Sequence, residues 1–244
     1  MKLSIIILNY NTSNITKECI DSIPNFKFKY EIILIDNNSK DDITPLENAH
    51  QNLKFIKNTH NLMFAKGNNN GVKIANGDYI MLLGSDTIII PRAIESLIKF
   101  LDNNTTYGIV APQLLNKDGT IQPSCRKLPT LWNIIMDKLS LSSDYKQKNW
   151  NHNNSQEVEQ PQATCIMIRK AIIEKYGLFD ERFPLYFNDV DFFKKMKVNN
   201  IKTYFLHSSK IYHLYGTSTK KIGMKRKLLL FKGAVQYFIK WRMH

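Results

Sequence analysis

Short apolar runs, rich in β-branched residues and separated by helix-like stretches, constrain this chain more than any other feature. The runs fall at about 3–9, 30–36, 53–57, 78–83 and 107–115. Such alternation predicts a parallel sheet covered by helices. Between the first two runs, Thr12 or Ser13 can cap a helix that reaches Ile23 and ends near Pro24, whose ring removes an amide. Further helices are predicted over Asp42–His50, Ala65–Ala75 and Pro91–Leu101, the last with proline in its first turn. LNKDGT at 115–120 contains the Asp-Gly turn that joins two strands tightly. Residues 140–160 are polar and rich in Asn, Ser and Gln, and read as a loop. A buried run resumes at Ala163–Ile168, followed by a helix to Tyr176, a break at Gly177 and a helix near Asn188–Val198. No repeat of solenoid period is present.

With 244 residues, the chain can bury a full core without staples. Apolar residues make up 43% and aromatics 11%, which excludes a disordered chain. Cys19, Cys125 and Cys165 lie far apart with no CxxC pair, arguing against a zinc ribbon or disulfide framework and for a reducing compartment. No apolar run approaches the ~18–20 residues that span a bilayer, and the first meets Asn9 too soon for a signal peptide. The net charge of +13 predicts an anionic partner: nucleic acid, nucleotide phosphates or an acidic membrane face.

GxGxxG, GxxxxGK[ST], HExxH and GxSxG are all missing, so the dinucleotide, P-loop, zincin and serine-hydrolase readings lose their usual support. The polar residues that are present stand where an α/β sheet places ligands, beyond the carboxyl ends of its strands. The first run ends in Asn9, Tyr10 and Asn11, the second in Asp36, Asn37, Asn38 and Ser39, and the fourth in Gly84, Ser85 and Asp86. Turns require the same residue types, so one such tip says little; three together favour a nucleotide site. In NLMFAKGNNNGVKIANGD, two glycines bracket an Asn run at a helix start. There Lys66 and Asn69 could meet a phosphate or sugar at the helix's positive end, although a simple cap explains the run equally well. The strongest acidic cluster is YFNDVDFFKK, with Asn188, Asp189 and Asp191 at a helix start. Downstream, His213 ends a strand in IYHLYGTST.

SIIILNYN, EIILIDNNSKDD, FAKGNNNGVKIANGDYIMLLGSD, ATCIMIRKAIIEKYGLFDERFPLYFNDVDF and YHLYGTS, in this order over about residues 2–218, resemble the family 2 glycosyltransferases of the GT-A fold. Within the family the chain is most similar to rhamnosyltransferase-like enzymes of bacterial surface polysaccharide synthesis. The resemblance implies a Rossmann-type, mostly parallel sheet with helices on both faces, followed by a basic helical tail. It divides the chain into a glycosyltransferase domain at 1–219, with a nucleotide-sugar-binding half at 1–115 and an acceptor half at 116–219, and a basic amphipathic segment at 220–244.

It further implies a nucleoside-diphosphate-sugar donor across the strand ends, with Tyr10 and Asp36 toward base and ribose. Asn9, Asn11, Asn38, Lys66, Asn69, Ser85, Asn188 and Asp191 are further candidate substrate contacts. Asp86 matches the last acid of the family's DxD-like motif and His213 a histidine that reaches the metal or diphosphate, so Asp86 and His213 are the candidate ligands of Mg²⁺ or Mn²⁺. Asp189 occupies the position of the general base in the family's acceptor segment. Two departures stand out: Gly84 opens the metal motif without a ligand atom, and Asn188 replaces the Glu of the family's ED pair. The expected reaction is an inverting transfer to a hydroxyl of a saccharide or polyprenyl-linked saccharide acceptor, in the cytoplasm or at the inner membrane face.

Two other readings compete. A nucleic-acid-binding protein would use the positive charge, but the sequence has no recognition helix or RNA-binding signature, and acidic strand tips would repel phosphates. A catalytically impaired donor-binding subunit would account for Gly84 and Asn188. In the tail, residues 220–244 contain eight Lys/Arg and no acid, interleaved with Leu228–Phe231, Val235, Tyr237, Phe238 and Trp241. This pattern suits a helix lying on an anionic membrane, with Leu228–Phe231 and Trp241 inserted, or a helix packing its apolar stripe on the core.

Overall fold

The structure is a computed structural model and describes residues 1–130, 152–214 and 224–242. Its strands are β1 (Leu3–Asn9), β2 (Tyr30–Asp36), β3 (Leu53–Lys57), β4 (Tyr79–Gly84), β5 (Thr87–Ile89), β6 (Tyr107–Leu115), β7 (Ile121–Gln122), β8 (Cys125–Arg126), β9 (Gln156–Val158), β10 (Gln160–Pro161), β11 (Cys165–Arg169) and β12 (Lys202–His213). The described helices are α1 (Ser13–Asp21), α2 (Thr44–Glu47), α3 (Met63–Ile74), α4 (Ala93–Asn103), α5 (Lys170–Tyr176), α6 (Asn188–Val198) and α7 (Met224–Trp241).

The main sheet runs in the order β3-β2-β1-β4-β11-β6-β12-β5. β3, β2, β1 and β4 are mutually parallel, and β12 runs parallel to β6. β11 is antiparallel to both β4 and β6, which leaves those two pointing the same way. The carboxyl ends of β1, β2, β4, β6 and β12 therefore share one rim of the sheet, where the start of β11 joins them.

Alternation along β1 sorts side chains to opposite faces. Leu3, Ile5 and Ile7 share a core with Cys19, Ile20, Leu46, Ile94 and Leu97, so α1, α2 and α4 cover one face. Ile6 shares the other core with Ala65, Ile173, Phe192 and Tyr237, so α3, α5, α6 and α7 cover the opposite face. Both faces are dry, which is why these strands read as continuous apolar runs. Truncating a fully buried isoleucine such as Ile6 should cost about 2–5 kcal/mol.

α3 lies against β1 and β2 because its inner face is nearly bare. A Cβ on Gly67 would sit 2.6 Å from a methyl of Leu8, and one on Gly71 2.7 and 2.8 Å from Ile35 and Ile6. The expectation that these glycines open a helix start to a phosphate is therefore corrected: α3 begins at Met63, and both glycines lie inside it on the buried side. Two further differences follow from local chemistry. The helix expected over Asp42–His50 is a single turn at Thr44–Glu47, where the Asp42 carboxylate accepts from the Thr44 amide at 2.9 Å. Of the loop expected at 140–160, residues 140–151 lie outside the described residues, whereas β9 pairs with Thr203–Phe205 and β10 with β8.

Candidate active site

At the first two strand tips, the innermost polar side chains bond to one another. Asn9 is fully buried, and its amide donates to Asp36 Oδ1 at 2.8 Å and to Ser39 Oγ at 3.1 Å. Its Oδ1 accepts from Thr16 at 2.7 Å and Thr12 at 3.0 Å. Asp36, also fully buried, accepts from Ser39 Oγ at 2.5 Å and from the Ser39 amide at 3.0 Å. Asn37 is tied to Asn58 and the Met63 carbonyl. The outer members of the tips face solvent: Tyr10 is 40% exposed, and Asn38, exposed, has φ +60°. Asn11, at φ +55°, accepts from the Lys40 amide at 2.7 Å. Asparagine tolerates this left-handed conformation because its short amide bonds locally.

The third tip meets the end of β12. The register pairs His213 with Thr87, and the Leu214 amide donates to the Asp86 carbonyl at 2.8 Å. His213 Nε2 consequently lies 3.4 Å from Asp86 Oδ1, with both side chains mostly buried. The hairpin at 115–122 orients this histidine. Thr120 Oγ donates to Asp118 at 2.6 Å, and Asn116 Nδ2 to Thr120 Oγ at 2.9 Å. Gln122 Nε2 in turn donates to Asn116 Oδ1 at 2.9 Å, so Gln122 Oε1 faces His213 Nδ1 at 2.5 Å. That assigns the proton to Nδ1 and turns Nε2 toward Asp86, an outer-sphere arrangement typical of a metal-binding imidazole. Gly84 has its own steric reason: a Cβ there would press on Asp86 Oδ1 and Thr164 at 3.2 Å. Among the described residues, no group of three or more His, Cys, Asp or Glu is placed to hold a metal. An oxygen-rich divalent ion could take Asp86 and His213 and would draw its other ligands from phosphate and water.

Asp189 stands in the first turn of α6, after Phe187 at φ +65°. Its Oδ1 accepts from the Val190 amide at 2.9 Å. Burial pushes its carboxyl above the usual aspartate value, opposed by the Val190 amide, by the charge of Arg126 and by a hydrogen bond from Gln160. Arg126 and Gln160 are register partners in the β8–β10 ladder, so one small ladder delivers both to the carboxylate. Among the described residues, the buried atoms Gln160 Oε1, Asn188 Nδ2 and Tyr186 Oη, on the segments that carry Asp189 and its partner Gln160, have no hydrogen-bond partner. Four residues beyond Gln160, the Thr164 carbonyl accepts from the Gly84 amide at 2.7 Å. At most ~14 Å of extended chain thus separates the segment touching Asp189 from the one touching the third strand tip.

Other candidates fall elsewhere. Asp191, expected to touch substrate, is fully buried and faces away toward α7: Trp241 Nε1 donates to its Oδ1 at 2.8 Å, and Lys240 Nζ lies 2.7 Å from the same oxygen. Asn69, also expected to touch substrate, exchanges hydrogen bonds with the backbone of Phe179, donating at 2.9 Å and accepting at 3.1 Å. Asn9, as described, has both ends of its amide engaged within the protein. Lys66 is exposed on α3 and Ser85 is buried 3.5 Å from the Thr12 hydroxyl. Gln122, Arg126 and Gln160 were not singled out by sequence. The Asp-Gly turn marked the region of Gln122 but not its histidine.

The family model for glycosyl transferase family 2 matches residues 4–177. Over 203 residues the chain is 25% identical to the low-salt glycan biosynthesis hexosyltransferase Agl10 of Haloferax volcanii, covering 82% of this chain and 62% of that protein. Over 150 residues it is 23% identical to the N-acetylglucosaminyl-diphospho-decaprenol L-rhamnosyltransferase of Mycobacterium tuberculosis, covering 58% of this chain and 48% of that protein. The chain thus spans less than two thirds of the length of either relative. Among solved structures, GalNAc-T7 with UDP, GalNAc and Mn²⁺ superposes with TM-score 0.71 at 14% identity, over 99% of this chain and 48% of that one. The mannosyltransferase PcManGT of Pyrobaculum calidifontis, in complex with GDP-Man and Mn²⁺, gives TM-score 0.67 at 16% identity, over 98% and 63%.

Proposed function

The chain belongs to glycosyl transferase family 2 with the GT-A fold, and from that premise we propose that it is an inverting glycosyltransferase. It moves a sugar from a nucleoside diphosphate to a hydroxyl of a saccharide or polyprenyl-linked saccharide at the cytoplasmic membrane face. Residues 1–115 serve the donor and 116–219 the acceptor. The observation that supports this reading best is the sharing of one rim by the nucleotide-side tips, the Asp86–His213 pair and the segment that reaches Asp189.

Tyr10 and Asn38, exposed at that rim, offer a ring face and an amide to the base and ribose. Asp36 acts there mainly by holding the tip in shape. Asp189 takes the proton of the attacking hydroxyl while the bond from that oxygen to the anomeric carbon forms. The bond from that carbon to the diphosphate breaks, and its electron pair leaves with the phosphate oxygen. Burial strengthens Asp189 as a base, while Gln160 and Arg126 favour its charged form and oppose that rise. Asn188 Nδ2, Gln160 Oε1 and Tyr186 Oη supply unspent hydrogen-bonding capacity to neighbouring acceptor groups. A divalent ion held by Asp86 and His213 would supply charge neutralisation to the departing diphosphate.

A thermal-shift panel of UDP, GDP and dTDP, and of their sugars, with and without Mn²⁺, tests the donor side, because a ligand of the folded state alone raises its stability. The expected result is stabilisation by one diphosphate series, enlarged by Mn²⁺. No stabilisation by any nucleotide, together with steeply salt-dependent binding to DNA or RNA, would refute the proposal. Binding of a donor sugar without hydrolysis or transfer would identify a donor-binding subunit.

A further inference from the structure

α7 has two working faces. The inner one is clamped to the base-bearing helix: Tyr237 is 2% exposed, Lys240 donates to Asp180 and Asp191 at 2.8 Å, and Trp241 donates to Asp191. Gly233 lets the helix settle against the chain before α6, where a Cβ would meet the Tyr186 carbonyl at 3.2 Å. Lys240 and Trp241 therefore belong to the interior.

The outer face carries Leu228, Phe231, Val235 and Ile239, which are 66%, 69%, 43% and 62% exposed. At 3.6 residues per turn these four fall within about 80° of arc, on the side opposite Tyr237. Exposed Lys232 borders the stripe and exposed Arg242 follows its end, and no acidic residue occurs anywhere in 220–244. No described helix is long and apolar enough to cross a membrane.

We propose that this outer stripe of α7 docks on an anionic phospholipid surface, its four apolar side chains entering the headgroup boundary while Lys232 and Arg242 meet lipid phosphates. The idea rests on the reading of the protein as an enzyme of the membrane face, and it names the surface that touches lipid. Charge complementarity selects the occupant: a second copy would bring two cationic faces together, whereas an anionic bilayer offers both an apolar layer and opposite charge. Because the inner face is fixed to α6, docking would also set the orientation of Asp189 relative to the bilayer.

Co-sedimentation of the full chain with vesicles of equal parts phosphatidylglycerol and phosphatidylcholine, against phosphatidylcholine alone, tests this directly. Binding to the anionic vesicles should weaken as salt rises. The double substitution Phe231→Ser and Ile239→Ser should weaken it at least ~10-fold with the melting temperature unchanged, since both side chains are already in water. Replacing Lys232 and Arg242 by Glu should abolish the preference for anionic lipid. Absence of binding at low salt, or binding indifferent to the stripe, would overturn the proposal. So would a dimer in sedimentation velocity that Phe231→Ser dissolves without any lipid binding. A nucleoside diphosphate thermal shift on the same samples keeps the two ideas apart: docking can fail while donor binding persists, and the reverse.

Discussion

The amides and carboxylates on the two sides of the rim are engaged to different degrees, although the buried Ser13 hydroxyl beside Thr12 also has no partner among the described residues. Around Asn9 and Asp36, every described amide and carboxylate is engaged by a neighbour: Thr12 and Thr16 on one side, Ser39 on the other. On the segments that carry Asp189 and Gln160, three buried polar atoms have no partner among the described residues, and burial holds the Asp189 carboxyl above its ordinary pKa. A closed network gives rigidity, because any shift breaks several bonds at once. An open one leaves hydrogen-bonding capacity for water or a polar ligand. The contrast fits the proposal that Asn9 and Asp36 hold the tip in shape while Asp189 acts on substrate.

The sharpest way to break that contrast is Asp189→Asn. Loss of the base should lower turnover by about 10²–10⁴-fold with donor affinity unchanged, measured as transfer to a confirmed acceptor. The same substitution should leave stability at neutral pH equal or higher. Asp189 has a raised folded pKa, so the folded state holds its proton more tightly than the unfolded chain, and stability falls as pH rises from the ordinary aspartate value through the folded one. Asn removes that penalty. A large loss of melting temperature in Asp189→Asn would place this residue with the scaffold.

Asn9→Ala should do the reverse. It strands the hydroxyls of Thr12 and Thr16 and part of Asp36, and should cost about 3 kcal/mol in denaturant unfolding. Asp36→Ala should behave similarly, losing stability as well as any contact to base and ribose. Gly71→Ala tests the close seat of α3. Overpacking against Ile6 and Ile35, partly offset by better helix propensity, should leave a net loss of about 1 kcal/mol. The smallest effect is expected for Gln160→Leu: with one donor to Asp189 gone, its pKa rises further, and the acidic limb of the pH–rate profile moves to higher pH with no change at the alkaline side. An unmoved profile would remove Gln160 from the site.

Much of this was legible in sequence where the signal is local. Five of the six strands within residues 1–115 and the helix at Asn188–Val198 stand close to where apolar runs and an acidic first turn indicate, whereas the three-residue β5 was too short to read. The strand tips were visible because polar residues follow apolar stems. Less legible was which polar residue would be buried: Asn9 and Tyr10 are adjacent, yet pleat geometry buries one and exposes the other. Asn69 and Asp191 resembled contacts because their partners, Phe179 and the α7 pair Lys240 and Trp241, lie 110 and about 50 residues away. The tail showed two plausible fates in sequence, membrane insertion or core packing. In the structure its inner face, Trp241 included, takes the second.

β11, which runs against both β4 and β6, has a consequence for inheritance. Because it is reversed, the chain leaves the rim after β6 and comes back to the same rim at Cys165, so residues 116–164 form an excursion with both ends anchored in one place. Part of it is pinned by β7 on β6 and by β9 on β12, and lengthening the chain between those strands costs little entropy. Gln122, Arg126 and Gln160 all lie within the excursion. The chain between those pinned strands could change in length while the strand order around Asn9, Asp36 and Asp86 is kept.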